Sequence, residues 1–144
     1  MTNFRKMDVE KPATAEELVT CFNKTFSDIE YLKQSKGIDS SSNYNIVLSN
    51  GNRIIATRYS TDTTSDNRSL HFAEKIACNF NNETGDLEIE ECIVERSAAL
   101  ISSEMLTDDR NLWKEIPTNH AVSIDSDMQV SLHKLKEVKD YALT

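Results

Sequence analysis

The feature that most constrains the fold is one long amphipathic segment that precedes a series of short alternating segments. Apolar residues recur in it at steps of three and four, which places their side chains on one face of a helix. Thr14 and Glu17 have the spacing of a capping box, and Gly37 can end the helix at positive φ. The pattern predicts a helix over residues 14–36 with one buried face. The residues of that face are Leu18, Cys21, Phe22, Phe26, Ile29 and Leu32.

The remainder of the chain carries strand patterns. Residues 44–49 alternate, and Asn50-Gly51 before residues 53–59 predicts a hairpin with a two-residue type I′ turn. Adjacent apolar residues in the return strand indicate cover on both of its faces. The fold class is therefore predicted as α+β, one helix on a largely antiparallel sheet of roughly five to seven strands. Further strands are predicted at residues 69–72, 87–94 and 97–103 (the last in the middle of the sheet), with a second hairpin at 121–124 and 130–135.

Length and charge bound the class of protein. The 144 residues suit one domain, which we place at residues 13–136, between a leader (1–12) and a tail (137–144). A net charge of −8 argues against nucleic acid and anionic membrane surfaces as partners. There is no signal-peptide pattern, and no apolar run approaches the roughly 20 residues of a membrane span. We therefore expect a cytoplasmic protein.

Three cysteines, Cys21, Cys78 and Cys92, limit the site chemistry. Their number is odd and their spacing fits no zinc pattern, so we expect reduced, mostly buried thiols. Only three glycines are present, which makes a glycine-rich phosphate loop improbable. No metal and no cofactor are predicted.

The histidines and paired acids give no catalytic pattern. His71 is expected to be partly buried and hydrogen-bonded, whereas His120 and His133 are expected to be solvated. The acidic pairs are interpreted as turn-forming residues, because no complete set of calcium ligands follows any of them. These pairs are Asp108-Asp109, Glu90-Glu91 and Asp125 with Asp127.

Two further features resemble parts of a catalytic site. Asn50-Gly51 has the composition of an oxyanion-hole pair, but its position between two strand patterns favours a plain turn. Thr2 is a potential N-terminal nucleophile after removal of Met1, but no strand pattern follows it. The sequence therefore predicts no catalytic, substrate-binding, cofactor-binding or metal-binding residue.

Residues 98–109 (AALISSEMLTDD), with Trp113 and Ile116-Pro117 after them, are distinctive. They resemble the "ASEPLT" segment and later "W-x-x-[IV]-P" of class II glutamine amidotransferases. The closest subgroup contains the fungal subunit of the cytosolic glutathione-degrading complex and its bacterial relatives. Met105 stands where that family usually has Pro. The order of the helix, hairpins and strands also agrees, so the resemblance covers roughly residues 14–135.

The resemblance implies the C-terminal half of an α-β-β-α sandwich of the N-terminal-nucleophile type. It implies a family role in glutathione catabolism, the cleavage of a γ-glutamyl amide or peptide bond. In that family the nucleophile is a Cys directly after the initiator Met, where this chain has Thr2. The family's substrate-binding Arg loop and Asp, and its oxyanion Asn-Gly, precede the matched region. No functional residue carries over, and we expect no activity from the chain alone.

Three hypotheses follow for the function. The chain is a C-terminal fragment of such an enzyme, a non-catalytic binding or assembly subunit, or one half of a split amidotransferase. In each case a protein partner or self-association is expected, because a half-sandwich leaves strand edges and an apolar face uncovered. A γ-glutamyl substrate is expected only when the missing half completes the site.

Overall fold

The computed structural model describes residues 12–62, 68–92 and 97–137. Within those ranges the chain forms one helix and eight strands, which confirms the α+β class in its general sense. The elements are α1 (Ala15–Ser35), β1 (Asn43–Ser49), β2 (Ile54–Ser60), β3 (His71–Phe80), β4 (Leu87–Glu91), β5 (Ala98–Ser102), β6 (Lys114–Glu115), β7 (His120–Ile124) and β8 (Val130–Lys134).

Helix α1 begins and ends as its sequence predicts. The Thr14 hydroxyl accepts the Glu17 N–H at 3.2 Å, and the Glu17 carboxylate accepts the Thr14 N–H at 2.8 Å. This capping box satisfies donors that the first turn leaves unpaired. Gly37 follows the helix at φ +66°. Leu32 is a correction to the predicted face, because it is 59% exposed near the end of α1.

The strands form two antiparallel sheets instead of one. Sheet A has the order β1-β2-β7-β8; sheet B has the order β4-β3-β5, with β6 pairing beside the start of β3. The predicted central position of residues 97–103 is wrong, because β5 lies at an edge of sheet B and β3 lies in its middle. Strand β3 has ten residues, whereas the sequence predicts a strand only over residues 69–72. A bulge at Lys75 (φ 55°) interrupts its alternation, so the pattern of a single strand is lost there.

The first hairpin has a longer turn than predicted. Ser49 pairs with Ile54, so residues 50–53 form a four-residue connection, and the two-residue type I′ turn is wrong. The Asn50 side-chain oxygen accepts the N–H groups of Asn52 and Arg53, at 3.1 and 2.8 Å. These bonds favour the wider turn, in which only Gly51 (φ +86°) needs left-handed backbone.

Three apolar clusters order the layers as helix, sheet A and sheet B. The first joins α1 to one face of sheet A, the second joins the other face of sheet A to sheet B, and the third lies on the outer face of sheet B. The buried residues of the first cluster are Leu18, Phe22, Phe26, Ile55, Tyr59, Ala121 and Leu135. Those of the second are Ala56, Leu70, Phe72, Ile116 and Val122, and those of the third are Ala73, Ile76, Ile89 and Trp113.

Strand β2 lies between two layers, as its apolar pattern predicts, and it carries a buried charge. All of its residues except Ile54 are buried. The Arg58 guanidinium faces sheet B. Its Nε donates to the Arg68 carbonyl at 3.0 Å, and its Nη1 donates to the Ile116 carbonyl at 2.6 Å. Nη1 also contacts Glu115 Oε1 at 2.6 Å. Arg68 precedes β3 and Ile116 follows β6; because these two strands are antiparallel, the Arg58 side chain connects sheet A to one end of the β3–β6 pair.

Replacing Arg58 with Leu is expected to lower the free energy of unfolding by about 2–4 kcal/mol, because the buried Ile116 carbonyl and the part-buried Arg68 carbonyl lose their donor. The Glu115 ion pair adds little, since the Glu115 side chain is 59% exposed. Arg58→Lys is expected to recover only part of the loss, because one ammonium group does not reproduce the guanidinium fork. Urea unfolding followed by circular dichroism measures these differences.

Arg68→Leu is the matched control. It removes the same charge from an exposed side chain and leaves the carbonyl that Arg58 contacts. We expect a change within about 0.5 kcal/mol. Equal losses for the Arg58 and Arg68 variants would show that charge, and not the bonds between sheets, is responsible.

Candidate functional site

The three thiols lie on separate parts of the fold. Cys21 is on α1, Cys78 is on β3 and Cys92 follows β4, and no disulfide joins any two of them. The expectation of mostly buried thiols is wrong for Cys78, which is exposed; it lies opposite Ile89, and the apolar residues beyond this pair, Phe80 and Leu87, are exposed as well. Burial raises the pKa of the Cys21 thiol, and the nearby Glu17 carboxylate adds to the effect. Cys21 is therefore held away from the reactive thiolate form.

The histidines differ from their predicted environments. The expectation of a hydrogen-bonded His71 is wrong for Nδ1, which is buried without a hydrogen-bond partner among the described residues. His120 and His133 are half-buried instead of solvated. His120 Nδ1 lies 3.0 Å from the Thr118 carbonyl, an interaction within its own turn. Of the histidine hydrogen bonds found within residues 12–62, 68–92 and 97–137, that of His133 is made to a side chain.

His133 and Ser123 form the arrangement closest to a catalytic dyad. Ser123 Oγ lies 2.9 Å from His133 Nε2, across the β7–β8 hairpin. The Glu16 carboxylate is near enough for charge interaction with His133 and Arg53. The pKa of Glu16 is lowered mainly by a backbone hydrogen bond and by the Thr14 hydroxyl, with smaller contributions from the interactions with His133 and Arg53. Ser123 is 4% exposed, so its hydroxyl is not open to a substrate. The pair therefore satisfies a buried hydroxyl.

Sequence reasoning did not find this pair. The two residues are ten positions apart and meet only because the hairpin register places His133 beside Ala121 and diagonally to Ser123. The available signal was the second hairpin itself, whose prediction is confirmed. Counting pairs outward from its turn would have placed both side chains on one face.

The turn interpretation of the acidic pairs is wrong for Glu90-Glu91, because both residues lie in strand β4, where Glu90 Oε1 accepts the Asn79 side-chain N–H at 3.3 Å. The acids of the loops and Asn50 have turn roles. Asp125 Oδ1 accepts the N–H groups of Asp127 and Gln129, at 3.0 and 2.9 Å. Asp109 Oδ1 accepts the Asn111 N–H at 3.0 Å. The plain-turn interpretation of Asn50-Gly51 is also confirmed, since the Gly51 N–H is directed to the Ser49 hydroxyl at 3.3 Å. Thr2 lies outside the described residues.

A cleft opens where the two sheets diverge, beside the turns of both hairpins. Its volume is about 360 Å³. The apolar part is formed by Ile54, Ile124 and Met128, with Ala98 and Ala99 at the start of β5. Arg53 is the cation at its rim, and the guanidinium donates to the Ala13 carbonyl at 2.7 Å. Asp125, at the same rim, is bound within its turn.

The cleft is built for contact with apolar groups and not for bond cleavage. The hydroxyls that line it, from Ser49, Ser97 and Ser126, have no histidine, cysteine or lysine beside them in the lining. A nucleophile without a base is not activated. Within residues 12–62, 68–92 and 97–137, no three acidic, histidine or cysteine side chains are grouped to hold a metal ion. No helix in these ranges has the length and apolarity of a membrane span.

No protein-family model matches the chain, and the search of curated proteins gives no match.

Thiol reactivity tests the cysteine environments. In single-cysteine variants, Cys78 is expected to react with Ellman's reagent at pH 8 roughly tenfold faster than Cys21, because Cys21 is half-buried and its raised pKa lowers the thiolate fraction. The C21A/C92S and C78S/C92S variants isolate the two thiols. In concentrated urea the rates should converge; a difference that persists there would not come from the fold.

The Ser123–His133 bond is tested by a double-mutant cycle. His133→Leu and Ser123→Ala are each expected to lower the free energy of unfolding by about 1–2 kcal/mol, and their effects should be coupled by about 1 kcal/mol. Ser131→Ala, an exposed serine directly opposite Ser123, is the control and should change it by less than about 0.5 kcal/mol. Additive losses in the cycle would contradict the assigned hydrogen bond.

Proposed function

We propose that this chain is the C-terminal part of a class II glutamine amidotransferase-like domain and that it does not hydrolyse amides alone. The family role is cleavage of a γ-glutamyl amide or peptide bond. The observation that carries the proposal is the layer order, in which sheet A lies between α1 and sheet B. A helix, a sheet and a second sheet are three of the four layers of an α-β-β-α sandwich.

The segment that resembles the family has defined contacts, which supports the proposal. It leaves β5, forms a loop and returns through Trp113 to the outer face of sheet B. Trp113 Nε1 donates to the Thr107 hydroxyl at 3.1 Å, so the Thr of one part of the segment binds the Trp of the other. Ile116, in the Ile-Pro pair, is fully buried between the sheets. The residue types of the segment therefore have packing roles that explain their spacing.

The lack of independent activity rests on the chemistry of the nucleophile. An N-terminal Cys uses its own α-amine as the base, which an internal Cys lacks. Cys21, Cys78 and Cys92 are internal, and the pKa of the Cys21 thiol is raised by burial. The residues that the family uses for substrate binding precede the region of resemblance. A γ-glutamyl substrate would therefore require an N-terminal half, joined to this chain or bound to it.

The test is labelling with 6-diazo-5-oxo-norleucine, a glutamine analogue that alkylates the nucleophile of glutamine-hydrolysing sites. The protein is tagged at its C-terminus in its source cells, isolated under native conditions, labelled and mapped by mass spectrometry. We expect the label on an N-terminal Cys that is outside residues 1–144. The recombinant 144-residue chain is the control and should neither take the label nor release glutamate from glutamine.

Each outcome separates the hypotheses. A labelled Cys in a tagged polypeptide larger than 16.3 kDa would identify a longer enzyme. A labelled Cys in a second polypeptide would identify a split amidotransferase. An isolated protein with no labelled Cys, or label on Cys21, Cys78 or Cys92, would overturn the proposal. The absence of any labelled Cys would favour the assembly-subunit alternative. The edge of β1, which has no partner strand among the described residues, also favours this alternative.

A further inference from the structure

The outer edge of sheet A is formed by β1, which pairs with β2 on one side only among the described residues. The pairing is regular, with seven consecutive pairs from Asn43–Ser60 to Ser49–Ile54. Five of the seven residues are exposed, namely Asn43, Asn45, Ile46, Val47 and Ser49. Exposed side chains are therefore present from the first residue of the strand to the last.

The ladder determines which backbone groups point outward. The Thr61 N–H donates to the Ser42 carbonyl at one end of the hairpin, and the Asn50 N–H donates to the Arg53 carbonyl at the other. Even-numbered residues of β1 therefore direct their N–H and C=O groups to β2, because these groups alternate along an antiparallel strand. The odd-numbered residues, Asn43 to Ser49, direct theirs to the free edge.

This edge lacks the features that usually prevent strands from pairing. Natural edge strands are protected by charged residues, prolines or bulges. Strand β1 contains none of these, while exposing 61% of Val47 and 37% of Ile46. The opposite edge of sheet A, β8, carries His133 and Lys134, and β4 of sheet B carries three glutamates. Strand β5 is uncharged but half-buried at every position.

We infer that β1 is a homodimerisation strand, which pairs antiparallel with β1 of a second copy about a two-fold axis at Ile46. In this register Asn45 faces Val47 of the other copy, and Asn43 faces Ser49. Every outward-pointing residue then exchanges hydrogen bonds with an outward-pointing residue, and Ile46 faces its own copy as a non-hydrogen-bonded pair. The two sheets join into one continuous sheet.

A second copy fits this edge better than a charged partner does. The net charge of −8 makes two copies repel at long range, so a contact between them has to form at an uncharged surface. Self-pairing through β1 sets no charge opposite a like charge, because the strand has none. It covers Ile46 with an identical apolar side chain, and apolar cross-strand pairs stabilise sheets.

Helix α1 supplies a second apolar element on the same side. Asn23 lies on the flank of α1 near β8, where its side-chain oxygen accepts the Lys136 N–H at 2.9 Å. Leu32 lies on the opposite flank by helical geometry, and it is 59% exposed. Phe26 and Tyr44 stack with their ring centroids 5.0 Å apart, so this half of α1 lies over β1. Pairing of β1 with β1 of the second copy brings the two α1 helices toward each other on the flank that carries Leu32.

The experiment is site-specific cross-linking of the 144-residue chain in a C21A/C78S/C92S background. Ile46→Cys places two thiols opposite each other with Cα atoms about 4.5 Å apart, within disulfide range. We expect near-complete disulfide dimer under mild oxidation, and a mass twice 16.3 kDa by light scattering before oxidation. Val47→Cys is the matched control. Its two copies are diagonal neighbours about 7–8 Å apart, so little cross-link is expected.

A proline variant separates dimer loss from misfolding. Val47→Pro removes an N–H that points to the free edge and leaves the β1–β2 ladder intact, so the monomer should keep its circular dichroism spectrum while the dimer mass is lost. A monomeric mass at submillimolar concentration, or equal cross-linking at positions 46 and 47, would overturn the inference. The same holds if Ile46→Cys chain isolated from source cells stays uncross-linked on oxidation. These results are independent of the labelled Cys, so the inference and the proposed function can fail separately.

Discussion

The burial of β2 on both faces is the constraint on which the rest of the structure depends. Ile55 and Tyr59 face α1, whereas Ala56 and Arg58 face sheet B. A strand covered in this way requires an element on each side, because either face would otherwise expose apolar surface to water. The helix and the second sheet are therefore not independent units: each packs on one side of the same two strands, β2 and β7.

Buried charges in this arrangement are paired or hydrogen-bonded, which ties layers together at defined points. Arg58 connects the sheets through two carbonyls and Glu115. Glu30, near the end of α1, accepts Lys33 Nζ at 3.0 Å and the Tyr44 hydroxyl at 2.9 Å, which fixes the helix to β1. Breaking either set leaves a desolvated group without partners, a cost that favours one arrangement of the layers over others.

The polar groups closest to a catalytic arrangement have structural roles, and this shapes the functional conclusions. The Ser123–His133 pair and the acidic turns have local roles, and the cleft between the sheets has no activated nucleophile in its lining. The described residues keep hydrogen-bonding groups available at the surface, above all the outward-pointing backbone groups of β1. The amidotransferase proposal and the β1 dimer assign these groups to different partners.

The sequence by itself determined the local elements. The spacing of Thr14, Glu17 and the apolar face specified α1, and alternation with turn residues specified both hairpins, because these signals depend on neighbours within a few positions. Only the tertiary structure decided the rest. The division into two sheets, the central place of β3 and the bonds of Arg58 depend on contacts between distant residues. Asn119 is an example: it adopts φ 58° and its side chain accepts the Ser60 N–H, 59 positions away, which no local pattern encodes.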